Sequence, residues 1–375
     1  MQFRDLGKQY HILKKEIDER IEGVISTSSF ILGKPVAELE GKLAEYCGRK
    51  HCIGVGNGTD ALVLSLRAYD IGRGDAVFVP DFTYIASASC VSLVGATPVF
   101  VDIDLNTFNM SPVALKEAIE RVKKEEKLNP KAIIPVDLFG LPYDVDTINT
   151  IAEANNLLVL EDAAQGFGGL YKNKRACSLG DISATSFFPA KPLGCYGDGG
   201  AVFTDDDEVD RRIRSLRAGG KSPTDKYDNR EIGYNSRLDT LQAAILLPKF
   251  KAFADYELDS VNKVASWYEE RLKDSVVTPN IPDDYLSSWA QYTIRLENKK
   301  VRDNLQRKLK EEGVPSMVYY PRGMHQQEVF KYMNLSAELY PNAIEATETV
   351  LSLPMHPYMG EESVETISNL IKKNI

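Results

Sequence analysis

Lys191 stands between two prolines, in the run Ser186-Phe187-Phe188-Pro189-Ala190-Lys191-Pro192-Leu193-Gly194-Cys195-Tyr196-Gly197-Asp198-Gly199-Gly200. An amine held in rigid, half-buried surroundings gives up its proton more readily than a solvated one, and so becomes a nucleophile. Ser186, five residues earlier, offers a hydroxyl to an anionic ligand. Taken alone, a lysine in such a turn also reads as an ordinary surface cation, so its neighbours have to decide.

Three further segments could join it. Gly56-Asn57-Gly58-Thr59-Asp60 lies between an apolar run and a helical one. Glycines let a backbone approach a ligand closely, and the start of a helix presents free N–H groups at its positive end. The same residues also suit a plain strand-to-helix turn. In Leu160-Glu161-Asp162-Ala163-Ala164-Gln165 an apolar strand ends in two carboxylates. A carboxylate at a buried edge needs a cationic partner, and a protonated pyridine nitrogen would serve; Asp162 also reads as a helix N-cap. Gly233-Tyr234-Asn235-Ser236-Arg237-Leu238-Asp239 is a polar loop leading into a helix. Its Asn235 and Arg237 suit anionic oxygens, although a loop Asn and Arg are unremarkable by themselves. An amine for a Schiff base, a carboxylate for a ring nitrogen and donors for a phosphate together make the set that pyridoxal 5′-phosphate requires.

The elements that must position these residues follow from the apolar pattern. Between residues 50 and 205, short β-branched runs (52–55, 76–79, 98–102, 132–136, 157–160) alternate with helical stretches such as 60–66, 85–94 and one starting at Ser111-Pro112. Strands of this kind separated by helices predict a largely parallel sheet covered on both faces, with ligands at the strands' carboxyl ends. Beyond Asp239 the spacing predicts helix over most of 239–273 with a break near Pro248. A strand at 291–295, a helix at 301–312, a strand at 316–320 and a last helix at 361–373 follow. The expected organisation is a large domain, residues 1–245, and a smaller α+β domain, residues 246–375. The charged stretch 121–127 reads as a solvated helix end.

Composition narrows the function classes. A formal net charge of −9 without a basic run argues against nucleic acid as the partner. No segment approaches membrane-spanning length and the start has no apolar core of a leader, so a cytoplasmic protein is expected. The five cysteines, Cys47, Cys52, Cys90, Cys177 and Cys195, are odd in number and lack metal-ligand spacing, which predicts reduced thiols and no metal site. A Rossmann dinucleotide site would leave the lysine segment unexplained.

With these residues in view, the sequence resembles the DegT/DnrJ-type sugar aminotransferases, which have the type I aminotransferase fold. Phe30-Ile31-Leu32-Gly33, the 56–62 turn, Pro80-Asp81-Phe82-Thr83-Tyr84, the 161–165 and 186–200 segments, and Asn235-Ser236-Arg237-Leu238-Asp239 carry the likeness in order. The resemblance implies an α/β fold whose large domain has a mostly parallel seven-stranded sheet. It implies that Lys191 holds pyridoxal 5′-phosphate as an internal aldimine and shuttles the proton, with Asp162 at the pyridinium nitrogen. Gln165 lies by the ring hydroxyl, Tyr84 stacks on the ring, and Gly58, Thr59, Asp60 and Ser186 belong to the phosphate turn. Asn235 reaches in from a neighbouring subunit, which implies a homodimer with shared active sites. Arg237 is a candidate for the acidic group of donor or sugar. Relatives that dehydrate sugars carry His where this chain has Lys191, so the lysine favours amino transfer.

Finer likenesses point to the branch that aminates C3 of UDP-linked 2-acetamido-3-keto-hexuronic acids for surface polysaccharides such as O-antigen. They lie at 186–196, in Ala290-Gln291-Tyr292-Thr293 and in Ser352-Leu353-Pro354-Met355-His356-Pro357-Tyr358. L-Glutamate is the implied amino donor, in a ping-pong exchange. One departure concerns the sugar: Tyr319 precedes Tyr320-Pro321 where many relatives have His, and His325 follows six residues later as a possible substitute. Two alternatives stand beside this reading: a 3- or 4-aminotransferase of dTDP-linked deoxy-keto sugars, and a non-catalytic regulatory protein of the same fold.

Overall fold

Residues 1–222, 224–225 and 227–375 are described by a computed structural model. Two helices, α1 (Leu6–Thr27) and α2 (Lys34–Cys47), precede the first strand, β1 (His51–Val55). From there strand and helix alternate: α3 (Gly58–Ala68), β2 (Asp75–Pro80), α4 (Ala86–Leu93), β3 (Thr97–Val101), α5 (Pro112–Glu125), β4 (Asn129–Ile133), α6 (Val145–Ala154) and β5 (Leu158–Asp162). Ser111 caps α5 as its Ser-Pro pair predicts, accepting from Ala114 N while Pro112 fills the first turn. A small hairpin, β6 (Leu170–Tyr171) and β7 (Lys174–Arg175), leads to β8 (Ile182–Ser186), β9 (Gly200–Thr204) and α7 (Asp207–Leu216).

Seven strands form the main sheet in the order β1-β9-β8-β5-β4-β2-β3. All neighbours are parallel except β9, which runs against both β1 and β8. The sheet is therefore mostly parallel, as expected. Successive side chains of a strand point to opposite faces: Phe78 joins one hydrophobic core while Val77 and Val79 join the other. Both faces need apolar residues, which is why these strands read as continuous apolar runs. The geometry leaves the carboxyl ends of β1, β2, β5 and β8 as the edge where polar side chains collect.

The remainder comprises α8 (Thr240–Ala252), a π-helical turn (Phe253–Glu257), α9 (Leu258–Leu272), the short β10 (Tyr285–Leu286), β11 (Tyr292–Arg295), α10 (Lys299–Glu311), α11 (Pro341–Thr349), β12 (Val350–Leu353) and α12 (Glu361–Asn374). β11 and β12 pair antiparallel. Two expectations need correction. Pro248 does not break its helix: it is buried within α8, which packs against α1 and α2, and the irregularity comes at the π turn instead. Residues 316–320 do not form a strand; Met317 alone pairs with Ser352, and Pro315 and Pro321 on either side lack the N–H groups that a longer ladder needs.

The expected domain boundary at residue 245 falls inside α8, and the first residues attach to the C-terminal part: Met355 N donates to Phe3 O at 3.2 Å and Arg4 Nη1 to Ala290 O at 3.3 Å. Among the described residues no helix is long and apolar enough to cross a membrane, and no cluster of side chains suits a metal ion.

Candidate active site

Lys191 lies in the loop between β8 and β9. That loop is folded back on itself: Phe187 N donates to Gly199 O (2.8 Å), Cys195 N to Phe187 O (2.8 Å) and Lys191 N to Phe188 O (2.9 Å). Cys195 is buried and its thiol donates to Phe187 O, so it packs the loop. Lys191 itself is partly buried. Burial pushes its amine down to about 8; the Asp162 carboxylate opposes that shift and the Arg4 guanidinium adds to it. A substantial neutral fraction at physiological pH is what a nucleophilic amine needs.

Asp162 ends β5 and is 4% exposed. Its backbone is fixed on both sides, with Asp162 N donating to Pro135 O (2.9 Å) and Asp137 N to Asp162 O (3.1 Å). Its carboxylate accepts from Ser87 Oγ (2.7 Å) and from Ala164 N (3.2 Å). Burial raises its proton affinity, and those two hydrogen bonds and Lys191 counter it. Among the described residues no cation lies within ion-pairing distance of this buried carboxylate, so it has room in its electrostatics for a protonated ring nitrogen. Ser87 is a site residue that carried no signal in the sequence.

Gln165 is buried, and both ends of its amide are committed: Oε1 accepts from Phe139 N (2.8 Å) and Nε2 donates to Tyr320 Oη (3.1 Å). Tyr320 thus joins the site, although only its neighbour Tyr319 was singled out from the sequence. Tyr84 is 54% exposed with its ring 6.3 Å from that of Tyr320, leaving a face free to stack.

At the end of β1, Asn57 caps α3 and its side chain accepts from Asp60 N (2.8 Å). The amide of Asp60 is therefore already satisfied, and the donors left for an anion are those of Gly58 and Thr59. A Cβ on Gly58 would meet Ser186 Cβ at 2.7 Å, so glycine is what lets the serine sit over the helix start. The amides and the Ser186 hydroxyl make a donor set for a phosphate. The polar loop reaches the same corner, with Gly56 N donating to Ser236 Oγ (3.0 Å). Asn235 is exposed, Arg237 keeps a buried Nε without a partner among the described residues, and Asp239 starts α8 without a side-chain cap.

The two residues proposed for the sugar fare differently. Tyr319 is half-buried against Phe3 and Tyr320. His325 does not present its ring freely: its Nδ1 and its backbone N both contact the Asp81 carboxylate at 2.7 Å, and its ring stacks on Tyr340 at 4.7 Å. Only Nε2 is left unpartnered, and it is buried. Nearness in sequence to Tyr320 suggested a substrate ligand; the buried Asp81 carboxylate claims it instead.

Residues 11–372 match the model of the DegT/DnrJ/EryC1/StrS aminotransferase family. The chain is 45% identical to the UDP-2-acetamido-2-deoxy-3-oxo-D-glucuronate aminotransferase of Pseudomonas aeruginosa, over 98% of each chain. It is 43% identical to a pleiotropic regulatory protein of Geobacillus stearothermophilus, over 97% of this chain and 95% of that one. Among solved structures it resembles a DegT DnrJ EryC1 StrS aminotransferase from Brucella abortus, with a TM-score of 0.96 and 47% identity over 100% of this chain and 99% of that one.

Proposed function

Because the chain belongs to the DegT/DnrJ/EryC1/StrS aminotransferase family, we propose that it transfers an amino group from L-glutamate to C3 of a UDP-linked 2-acetamido-3-keto-hexuronic acid, in the making of surface polysaccharide. It is a pyridoxal phosphate-dependent sugar aminotransferase; the exact sugar, the donor and the site roles are the proposal. The observation that carries it is Lys191, a partly buried amine lowered to about 8, with the charge of the buried Asp162 acting on it from the neighbouring strand end.

Bound there, the cofactor supplies an electron sink that makes a Cα proton removable. Everything else falls to the chain. Gly58, Thr59 and Ser186 would hold the phosphate, Asp162 the ring nitrogen, and Tyr84 one ring face. Gln165, locked between Phe139 and Tyr320, would fix the side of the ring that bears its hydroxyl. Lys191 Nζ, once neutral, would accept the proton from the Cα of the amino donor and hold it for return. Arg237, with an unpartnered Nε, suits a carboxylate of donor or sugar.

A cytoplasmic homodimer is part of the proposal. The exposed apolar side chains Phe30, Ile31, Leu32 and Ile232 need a cover, and exposed Asn235 would enter the partner's site. The likeness to a regulatory protein keeps a second reading in view, yet that reading gives Lys191 and Asp162 no task.

The test is a panel of UDP- and dTDP-linked 3-keto and 4-keto sugars offered with L-glutamate, with products read by mass spectrometry. Amination of the UDP-linked 3-keto-hexuronate well above the others supports the proposal. Preference for a dTDP-linked sugar, or no amination of any, overturns the substrate assignment.

A further inference from the structure

We infer that Ser87 is a positioning residue for the Asp162 carboxylate and that Thr83 acts through it, in a hydroxyl relay with a fixed direction. Ser87 Oγ lies 2.7 Å from Asp162 Oδ2 and 3.1 Å from Thr83 Oγ1. Thr83, Ser87 and Asp162 are 0%, 1% and 4% exposed, so bulk water does not complete their bonds. A hydroxyl owns one proton, and an ionised carboxylate can only accept. Ser87 must therefore give its proton to Asp162, which leaves its oxygen with lone pairs alone, and Thr83 must donate to Ser87. The chain runs from Thr83 to Ser87 to Asp162, each donor strengthening the next.

The relay rests on the cofactor reading above and deepens it. A ring nitrogen stays protonated beside a carboxylate only if that carboxylate stays charged. Burial works against charge at Asp162, and the Ser87 hydrogen bond works for it. The relay also ties two walls of the site together. Asp162 ends β5, whereas Thr83 and Ser87 follow β2, with β4 between the two strands in the sheet. Tyr84, the stacking residue, comes directly after Thr83. The same segment is held at its other end by His325 on Asp81. Segment 81–87 is thus pinned at both ends, with the stacking ring between the pins.

The test compares full-length wild type, Ser87→Ala, Ser87→Thr, Thr83→Val and the Thr83→Val/Ser87→Ala double variant. Readouts are pyridoxal 5′-phosphate affinity, the visible band of the bound cofactor, thermal midpoint, and kcat and KM for L-glutamate. Losing a hydrogen bond to a charged group predicts about tenfold weaker cofactor binding for Ser87→Ala. Its visible band should shift and its kcat fall, with KM for glutamate little changed. Ser87→Thr should restore most of the affinity. Thr83→Val should weaken binding about threefold, because it removes only the supporting donor. The double variant should be no worse than Ser87→Ala. Wild-type affinity and band in Ser87→Ala, with only the midpoint lowered, would overturn the relay, as would effects of the two single changes that multiply. A wild type that binds no cofactor would overturn the cofactor reading and this inference with it, a result distinct from either of those.

Discussion

The strand ends around Asp162 and the loops that would meet the sugar are built on different terms. At the strand ends nearly every polar side chain is already engaged: Asp162 by Ser87 and Ala164, Gln165 by Phe139 and Tyr320, and Asn57 by Asp60. At the loops, Asn235 is exposed and Arg237 carries an unpartnered Nε. Groups locked by the fold hold one geometry for chemistry that does not vary, whereas groups left open are the ones a ligand or a second subunit completes. Changes at the strand ends should therefore strike cofactor binding and catalysis, and changes at the loops should strike substrate binding.

That contrast can be broken in descending order of effect. Lys191→Ala should lower glutamate-driven amino transfer by at least about a thousandfold, since no other side chain replaces a covalent amine. In the wild type the lowered amine gives a pH signature. Below its value of about 8 the neutral fraction falls as pH falls, so capture of cofactor by cofactor-free protein should slow about tenfold per pH unit there and level off above 8. An unperturbed lysine would keep gaining up to pH 10. Asp162→Asn, similar in size but uncharged, should cost about a hundredfold in kcat, read in steady-state assays with saturating cofactor. Arg237→Met should raise KM for the acidic substrate about tenfold and leave the cofactor's visible band unchanged. A large fall in kcat there instead would erase the distinction between the two regions.

His325 sharpens the comparison from the other side. It lies outside the main sheet but is engaged like a strand-end residue, paired with the buried Asp81. His325→Ala should cost about 2 kcal/mol in denaturant unfolding, because the buried Asp81 carboxyl loses its ring partner and keeps only the backbone N–H of residue 325, while KM for the sugar stays within about twofold. A raised KM for the sugar with unchanged stability would return His325 to the substrate.

Much of this was legible in the sequence where one residue type does one thing. The apolar runs announced the sheet, because a strand buried on both faces has no polar side to alternate with. Lys191 stood out because it sits between two prolines in a glycine-rich turn, and Asp162 because a charged group closing an apolar strand needs a reason. Ser87 did not, since a serine among alanines reads as small filler; its meaning comes from β2 and β5 being brought two places apart in the sheet, across 75 residues of chain. Pro248 misled for a related reason: local chemistry forecasts a break, and the packing of α1 and α2 over α8 overrides it. The reading of His325 rested on distance along the chain, which says nothing of the buried aspartate waiting after β2.

The most direct test of the central claim is the visible absorption spectrum of the purified protein with pyridoxal 5′-phosphate, before and after L-glutamate, beside Lys191→Ala. The wild type should show a lysine-dependent band that glutamate bleaches, and the variant should show neither the band nor the bleaching. A wild type without the band would contradict Lys191 as the cofactor's amine, a variant that retained the wild-type band would do the same, and a band that glutamate leaves untouched would contradict the proposed donor.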